Sequence, residues 1–395
     1  MRHQLPVHSP VSWGALASGL GAAVGGDHGG ALERRVGELL KERYSAKDVL
    51  LTDSGTSALS LAIEGAVGES GRPVALPGYS CYDLATAVLG ARARAVLYDL
   101  DPRTLGPDAD SLGALRELDP AAVVYAPSYG FAPSELVEPM PLGDALMIVD
   151  AAQGVGTEVA GRPLAALGSV AVLSFGRGKG MTGGGGGALL AHDERGLAVV
   201  ERGRVRLGTG RAPRGSGRLA ALAAQLVLGR PGLYAIPSAL PFLHLGQTLY
   251  HPAWPPSRCA ASSLAVLERV MPAAEREAVT RRVNAERLSA SVQLARGLDA
   301  LVPAPVTTPG YLRLPVLARR DSRRARLTLD ARRLGIVEGY PTTLADLPAL
   351  TGSLVGPRAP LNGCGELARS LLTLPTHSLL TESDLGALER WLRLT

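Results

Sequence analysis

Short apolar runs that alternate with helical stretches are the feature that most restricts the fold of this chain. From about residue 30 onwards, each run is three to six residues long, and it ends in small or polar residues. This alternation is typical of βαβ units. The runs are almost continuously apolar, which indicates a sheet covered by helices on both faces. The predicted strands are residues 49–52, 74–76, 95–100, 122–125, 145–149, 170–175 and 188–191, with a helix at 58–67.

A proline-rich segment at residues 252–256 separates two parts of the chain that differ in composition and in predicted secondary structure. Beyond it, residues 262–300 are rich in Arg and Ala and predict long helices, and a helix at 383–394 ends the chain. A chain of 395 residues is longer than one hydrophobic core usually serves. We therefore expect a large domain over residues 1–255 and a smaller C-terminal domain over residues 256–395.

Charge and cysteine content exclude several classes of protein. The formal net charge is +5, but the arginines are scattered among acidic residues and form no basic block, so nucleic-acid binding is not expected. The cysteines, Cys81, Cys259 and Cys364, are odd in number and far apart. This spacing suits neither a disulfide framework nor a metal site. We expect a protein of the reducing cytoplasm.

Membrane insertion is also not expected from the sequence. Residues 1–10 lack the pattern of a signal peptide, and no uninterrupted apolar run reaches membrane-spanning length. The nearest candidate is the stretch 219–246, which Arg230 and three prolines interrupt. We interpret this stretch as a segment that is buried or that contacts a partner, with peripheral membrane contact as the alternative.

Lysine is rare in this chain, and one of its lysines has an unusual position. Lys41 and Lys47 lie in an ordinary charged segment, whereas Lys179 follows the predicted strand 170–175 and precedes the glycine run 183–187. Ligands of open α/β sheets bind in the crevice beyond the carboxyl ends of the strands. A neutral lysine amine there can form a Schiff base with a carbonyl compound. A solvated loop lysine is the alternative for this residue taken by itself.

Two more polar features follow predicted strands at the same edge. Asp150 comes directly after the strand before that of Lys179, and an aspartate in this position can pair with a protonated pyridine nitrogen. The turn at residues 54–57 offers backbone N–H groups, hydroxyls and the positive end of a helix dipole, which suit a phosphate. Ordinary helix capping is the alternative in both cases.

Two competing nucleotide motifs fail on their spacing. A P-loop requires Ser or Thr directly after its lysine, where this chain has Gly180. The glycines at residues 19–25 have the wrong spacing for a dinucleotide fingerprint and follow no predicted strand. A nucleotide-binding fold of either kind is therefore not favoured.

Several short motifs follow one another in an order that runs through nearly the whole chain. They are Ser54-Gly55-Thr56-Ser57-Ala58-Leu59, Pro77-Gly78-Tyr79-Ser80-Cys81-Tyr82, Tyr98-Asp99-Leu100-Asp101, Asp150-Ala151-Ala152-Gln153, Ser174-Phe175 followed by Lys179, and Leu374-Pro375-Thr376-His377. In this combination the chain resembles the DegT/DnrJ/EryC1/StrS family of fold type I aminotransferases that use pyridoxal 5'-phosphate (PLP). The resemblance implies an α/β fold type I PLP-transferase, whose mixed, mostly parallel sheet carries helices on both faces, with a smaller C-terminal α+β domain.

The resemblance also implies a role for each matching residue. Lys179 would hold PLP as a Schiff base and act as the catalytic base, Asp150 would bind the pyridine nitrogen, and Gln153 would contact the phenolic oxygen. Tyr82 would stack on the ring, with Cys81 as the alternative occupant of that position. Thr56, Ser57 and Ser174 would hold the cofactor phosphate, and Gly55 in the same turn would also bind the cofactor.

The chain departs from the family pattern at three places. Gly176 follows the Ser-Phe pair, where members usually have His, and residues 250–254 replace an Asn-rich loop that reaches the partner subunit's phosphate site. The stretch 202–254 is also longer than the usual connection. Because these positions would face the second substrate, we expect the donor chemistry to be kept and nucleotide-linked keto sugars to be poor acceptors.

The activity that the resemblance implies is transfer of an amino group from glutamate or glutamine to a keto acceptor, such as a sugar or a secondary-metabolite intermediate, by a homodimer. The retained lysine argues against the dehydratase branch of the family, which lacks it. Two rivals stay open. One is another PLP reaction on the same fold, such as decarboxylation or carbon–carbon bond formation, and the other is a non-catalytic PLP-binding regulatory protein.

Overall fold

The computed structural model describes residues 2–27, 30–208, 213, 215–240, 248–319, 327–356 and 360–394. Its strands are β1 (Asp48–Thr52), β2 (Val74–Pro77), β3 (Ala95–Tyr98), β4 (Ala122–Tyr125), β5 (Leu146–Asp150), β6 (Glu158–Val159), β7 (Arg162–Pro163), β8 (Val170–Ser174), β9 (Gly187–Ala191), β10 (Leu298–Ala300), β11 (Thr307–Thr308), β12 (Leu314–Ala318), β13 (Val337–Glu338) and β14 (Leu371–Leu374).

The helices of the described residues vary from one turn to nine turns in length. They are α1 (Trp13–Gly25), α2 (Ala31–Tyr44), α3 (Gly55–Val67), α4 (Asp83–Gly90), α5 (Ala109–Ala114), α6 (Glu194–Leu207), α7 (Ser216–Leu228), α8 (Ala235–Ser238), α9 (Ala261–Val292), α10 (Leu329–Arg333), α11 (Asn362–Ser370) and α12 (Glu382–Leu394). None of them is long and apolar enough to cross a membrane.

The large sheet has seven strands in the order β1-β9-β8-β5-β4-β2-β3. Within this sheet β9 runs in the opposite direction to the other six strands, and the pairs from β8 to β3 are all parallel. Each strand predicted from the sequence is present. The mixed, mostly parallel sheet is therefore confirmed, and the carboxyl ends of β4, β5 and β8 meet at one edge.

Alternating side chains of this sheet enter two separate hydrophobic cores. On β8, Val170 and Val172 pack into the core formed with α3, α4 and α6, whereas Ala171 and Leu173 face the core shared with α1, α2 and α9. Both faces of the strand are covered, so a continuous apolar run is needed at β8. This explains why the strands could be predicted as apolar runs without alternation.

Helix α9 connects the large sheet to the small one. Its first half, with Leu264 and Val270, packs into the core beneath the large sheet, and its second half, with Leu288, packs into the core of the antiparallel sheet β10-β12-β14-β13. Helix α9 therefore belongs to both cores. The predicted domain boundary at residues 252–256 stays a prediction.

The prediction of helix for residues 262–300 is wrong for the last part of that range. Helix α9 stops at Val292, and Leu298–Ala300 forms β10, which pairs antiparallel with β12. Gly297 between them disfavours continuation of the helix, and pairing with β12 buries Leu298. The apolar stretch 219–246 contains part of α7 and all of α8, and its residues 241–246 lie outside the described residues.

Candidate active site

A cavity lies at the carboxyl edge of the large sheet, between the ends of β4, β5 and β8 and the start of α3. Its volume is about 450 Å³, counted with its open mouth. Six of the residues predicted for the site line it: Gly55, Thr56, Asp150, Gln153, Ser174 and Lys179. This is the position at which open α/β sheets bind their ligands.

Asp150 and Lys179 both line this cavity. Asp150 lies at the end of β5, and Lys179 lies in the loop that follows the neighbouring parallel strand, β8. Asp150 ends β5 and pairs in register with Val172 of β8, and its Oδ1 accepts a hydrogen bond of 3.0 Å from the backbone N–H of Ala152. Burial raises the pKa of the Asp150 carboxyl above its usual value, and the positive charge of Lys179 offsets part of that rise. The charges of the two groups therefore interact within the cavity.

The Lys179 loop is held in place by contacts of its backbone. Gly178 adopts a left-handed conformation with φ +74°, which disfavours any residue with a Cβ. The carbonyl oxygen of Lys179 accepts a hydrogen bond of 2.5 Å from the hydroxyl of Ser9, which comes from the N-terminal segment. The main chain of the lysine is thus anchored from outside its own loop.

The start of α3 packs directly against the end of β8. Ser54 caps the helix, since its Oγ accepts a hydrogen bond of 3.1 Å from the N–H of Ser57. A Cβ on Gly55 would lie 2.6 Å from the Cβ of Ser174, so only glycine allows this close approach. Gly55 and Thr56, at the positive end of the helix dipole, consequently line the same cavity as Ser174.

Gln153 is oriented by two partners with unambiguous roles. Its Oε1 accepts a hydrogen bond of 3.0 Å from the backbone N–H of Tyr129, and its Nε2 donates one of 2.6 Å to the hydroxyl of Tyr340. Because a backbone N–H can only donate, the orientation of the amide is fixed. The second N–H of the amide remains as a donor in a side chain that lines the cavity.

Two of the predicted residues do not line the cavity. The hydroxyl of Ser57 lies 2.9 Å from the Oγ of Ser54 within the cap of α3, and the hydroxyl of Tyr82 lies 2.6 Å from the Oγ1 of Thr342. Cys81, the alternative to Tyr82, does line it, and burial raises the pKa of its thiol to about 12. The roles of all these residues toward a ligand stay predictions.

Sequence patterns did not indicate several residues that the fold brings to the site. Ser80, Asp83 and Ser128 line the cavity, and Tyr340 and Ser9 hold its walls. Tyr340 is 187 residues away from its partner Gln153 in the chain, so no local spacing could have paired them. Asp83 lies two residues after Cys81, at the start of α4. An acidic residue so close to a predicted site residue was a signal that the sequence did contain.

A known protein family matches the region of the chain that contains this cavity. The model of the DegT/DnrJ/EryC1/StrS aminotransferase family matches residues 15–208, which include each residue predicted for the site. An L-glutamine:2-deoxy-scyllo-inosose aminotransferase of Streptomyces kanamyceticus is 31% identical over 176 residues, or 43% of this chain and 41% of that protein. A dTDP-4-dehydro-2,3,6-trideoxy-D-glucose 4-aminotransferase of Saccharopolyspora spinosa is 33% identical over 154 residues, or 37% of this chain and 39% of that protein. The chain thus matches about two fifths of the length of these curated relatives.

Solved structures share the fold over nearly the whole chain. The sugar aminotransferase CalS13 from Micromonospora echinospora superposes with a TM-score of 0.76 at 19% identity, covering 98% of this chain and 98% of that one. The aminotransferase TlmJ from Streptoalloteichus hindustanus gives 0.75 at 22% identity, covering 99% and 98%. At such identities the likeness concerns the fold, and it confirms the fold type I architecture expected from the sequence.

Proposed function

Because this chain belongs, through residues 15–208, to the DegT/DnrJ/EryC1/StrS aminotransferase family, we propose that it is a PLP-dependent aminotransferase. The proposed amino donor is glutamate or glutamine, and the proposed acceptor is a cyclic keto compound such as a keto sugar or a keto cyclitol. The names of the relatives support this choice. One name specifies glutamine as donor and an inosose as acceptor, and the other specifies a keto sugar as acceptor. The observation that carries the proposal is the pair of Asp150 and Lys179 in one cavity beside the start of α3.

The residues that line the cavity fit PLP group by group. The partly buried carboxylate of Asp150 would gain a second cationic partner in a protonated ring nitrogen, which reverses the rise of its pKa. The free N–H of Gln153 suits an anionic ring oxygen. The amides of Gly55 and Thr56 and the hydroxyl of Ser174 suit a phosphate at a helix N-terminus. When bound, PLP would supply an electron sink and a carrier for the amino group.

Each of the chain's own groups then has a defined task. Lys179 would hold the cofactor through its Nζ in the resting enzyme, and, once free, the same Nζ would take a proton from the substrate carbon and return it to a neighbouring atom. The hydrogen bond from Ser9 would limit the positions that this amine reaches. Asp150 would keep the ring nitrogen protonated, and the contacts of Gln153 with Tyr129 and Tyr340 would keep its amide aligned.

The donor half-reaction tests this function. Protein loaded with PLP is mixed with glutamine or glutamate in the absence of acceptor, and we expect the cofactor spectrum to change to that of the amine form. One equivalent of 2-oxo acid should appear for each bound cofactor, and a suitable ketone should restore the starting spectrum. If PLP is firmly held and no amino acid changes its spectrum, the function is wrong and the rival PLP reactions replace it.

We further propose that the protein acts as a homodimer in the cytoplasm. The segment around α8 exposes Leu233, Ile236 and Leu240, whose exposed fractions of 39%, 58% and 39% are high for large apolar side chains. Light scattering of the PLP-loaded protein at micromolar concentration should report a dimer, and a monomer alone would contradict this part of the proposal. The thiols of Cys81, Cys259 and Cys364 are unpaired, which supports a reducing compartment.

A further inference from the structure

Asp83 is a charged side chain of the cavity that has no task in the chemistry proposed above. It lies in the first turn of α4 and lines the cavity together with Asp150 and Lys179. Its Oδ2 accepts a hydrogen bond of 3.4 Å from the Sγ of Cys81. A thiol is a weak donor, so this contact uses little of the hydrogen-bonding capacity of the carboxylate.

The balance of charge around Asp83 is negative. The described residues that line the cavity include three charged side chains, of which Asp83 and Asp150 are acidic and Lys179 is basic. In the proposed function, Asp150 is matched by the ring nitrogen and the charge of Lys179 is engaged by the cofactor. Asp83 then remains as a negative charge without an opposite partner among these lining residues. A substrate carboxylate or phosphate close to it is repelled.

Two other residues that line the cavity carry hydroxyl groups. Ser80 and Ser128 line the same cavity, and each hydroxyl can both donate and accept a hydrogen bond. A carboxylate accepts short, strong hydrogen bonds from O–H groups and can take two at once. One carboxylate with two hydroxyls therefore matches a ring that carries several hydroxyl groups and no charge.

We propose that Asp83 is a specificity-determining residue that accepts hydrogen bonds from the hydroxyl groups of an uncharged, polyhydroxylated cyclic ketone and disfavours acceptors with an anionic group beside the ketone. The proposal rests on the proposed aminotransferase function and names the acceptor class of the same site. The alternative is that Asp83 only stabilises the start of α4 through the helix dipole, which an acid in a first turn also does.

The test compares the wild type with Asp83→Asn and Asp83→Ala, each loaded with PLP. The acceptors are a pentahydroxycyclohexanone and pyruvate, and the donor half-reaction with glutamate is measured separately. We expect kcat/KM for the pentahydroxycyclohexanone to fall about 10- to 100-fold in Asp83→Ala, which corresponds to a lost charged hydrogen bond. The kcat/KM for pyruvate should stay equal or rise, and the KM for glutamate should stay equal or fall, because the carboxylates of these substrates are no longer repelled.

A lower kcat/KM for the pentahydroxycyclohexanone without a loss for pyruvate distinguishes a specificity role of Asp83 from a purely structural one. Asp110→Asn is the matched control, since Asp110 also lies in the first turn of a helix, α5, but is exposed and outside the cavity. A loss of activity toward both acceptors in equal measure, or a wild type that prefers pyruvate, overturns the proposal. If glutamate and glutamine leave the cofactor spectrum of the wild type unchanged, it is the aminotransferase function that fails.

Discussion

At the scale of single residues, Asp150 carries the charge on which the proposed chemistry depends. Asparagine at this position keeps the size of the side chain and removes the charge that would hold a ring nitrogen protonated. We expect Asp150→Asn to retain PLP and to slow the donor half-reaction by about a hundredfold or more, equivalent to a few kcal/mol in the transition state. Stopped-flow spectra with glutamate measure this rate. A rate equal to that of the wild type, with Asp110→Asn as control, would refute the role of Asp150.

The site residues that could be predicted are those whose position follows from a single strand end. Lys179 and Asp150 each come directly after an apolar run, and parallel strands bring their carboxyl ends together, so their meeting was foreseeable. Tyr340 and Ser9 reach the site from distant parts of the chain, and only the packed structure places them. Tyr82 illustrates a third case, because a shift of one position in the register of a short segment exchanges it with Cys81.

At the scale of elements, the N-terminal segment of residues 2–10 connects α10 and the loop after β14 with the Lys179 loop. The N–H of Gln4 donates to the carbonyl of Arg333, the carbonyl of Leu5 lies 2.9 Å from the Nε2 of His377, and Ser9 reaches Lys179. The segment has no helical or alternating pattern, so the sequence did not predict its position. The sheet strands, in contrast, were predictable because burial on both faces requires continuous apolar runs.

His377 makes the attachment of this segment dependent on pH. Burial lowers the pKa of its imidazole from 6.5 to about 4, and the groups that face it are His8 of the segment and Glu277 of α9. Arg281, also on α9, faces His8, whose pKa is lowered by burial as well. Between pH 6.5 and 4 the unfolded chain therefore binds a proton that the folded chain does not.

The free energy of unfolding should consequently fall as the pH is lowered from 6.5 toward 4. For His377 we expect a loss of about 1–3 kcal/mol over this interval. Urea unfolding at several pH values measures it. His377→Gln, which keeps an N–H for the Leu5 carbonyl but does not titrate, should show a shallower slope. The exposed His251→Gln is the control variant. Equal slopes in wild type and His377→Gln would contradict this assignment.

At the scale of the whole molecule, the chain combines a shared fold with a cavity that has its own lining. The seven-stranded sheet and the small antiparallel sheet match sugar aminotransferase structures over nearly all of the chain. The cavity, however, carries Cys81 and Asp83 beside the proposed cofactor position. The fold could be predicted from motifs, and the cofactor chemistry stays a proposal. The acceptor, in contrast, depends on side chains at the start of α4 and after β4 that line the cavity.

The most direct test of the account is to find which lysine holds the cofactor. The chain has only Lys41, Lys47 and Lys179, so reduction of the PLP-loaded protein with borohydride, followed by digestion and mass spectrometry, gives an unambiguous result. We predict that the cofactor is found on the peptide with Lys179 and that a Lys179→Ala variant yields no labelled peptide. Attachment to Lys41 or Lys47 in the wild type, or labelling that persists in Lys179→Ala, would contradict the central claim.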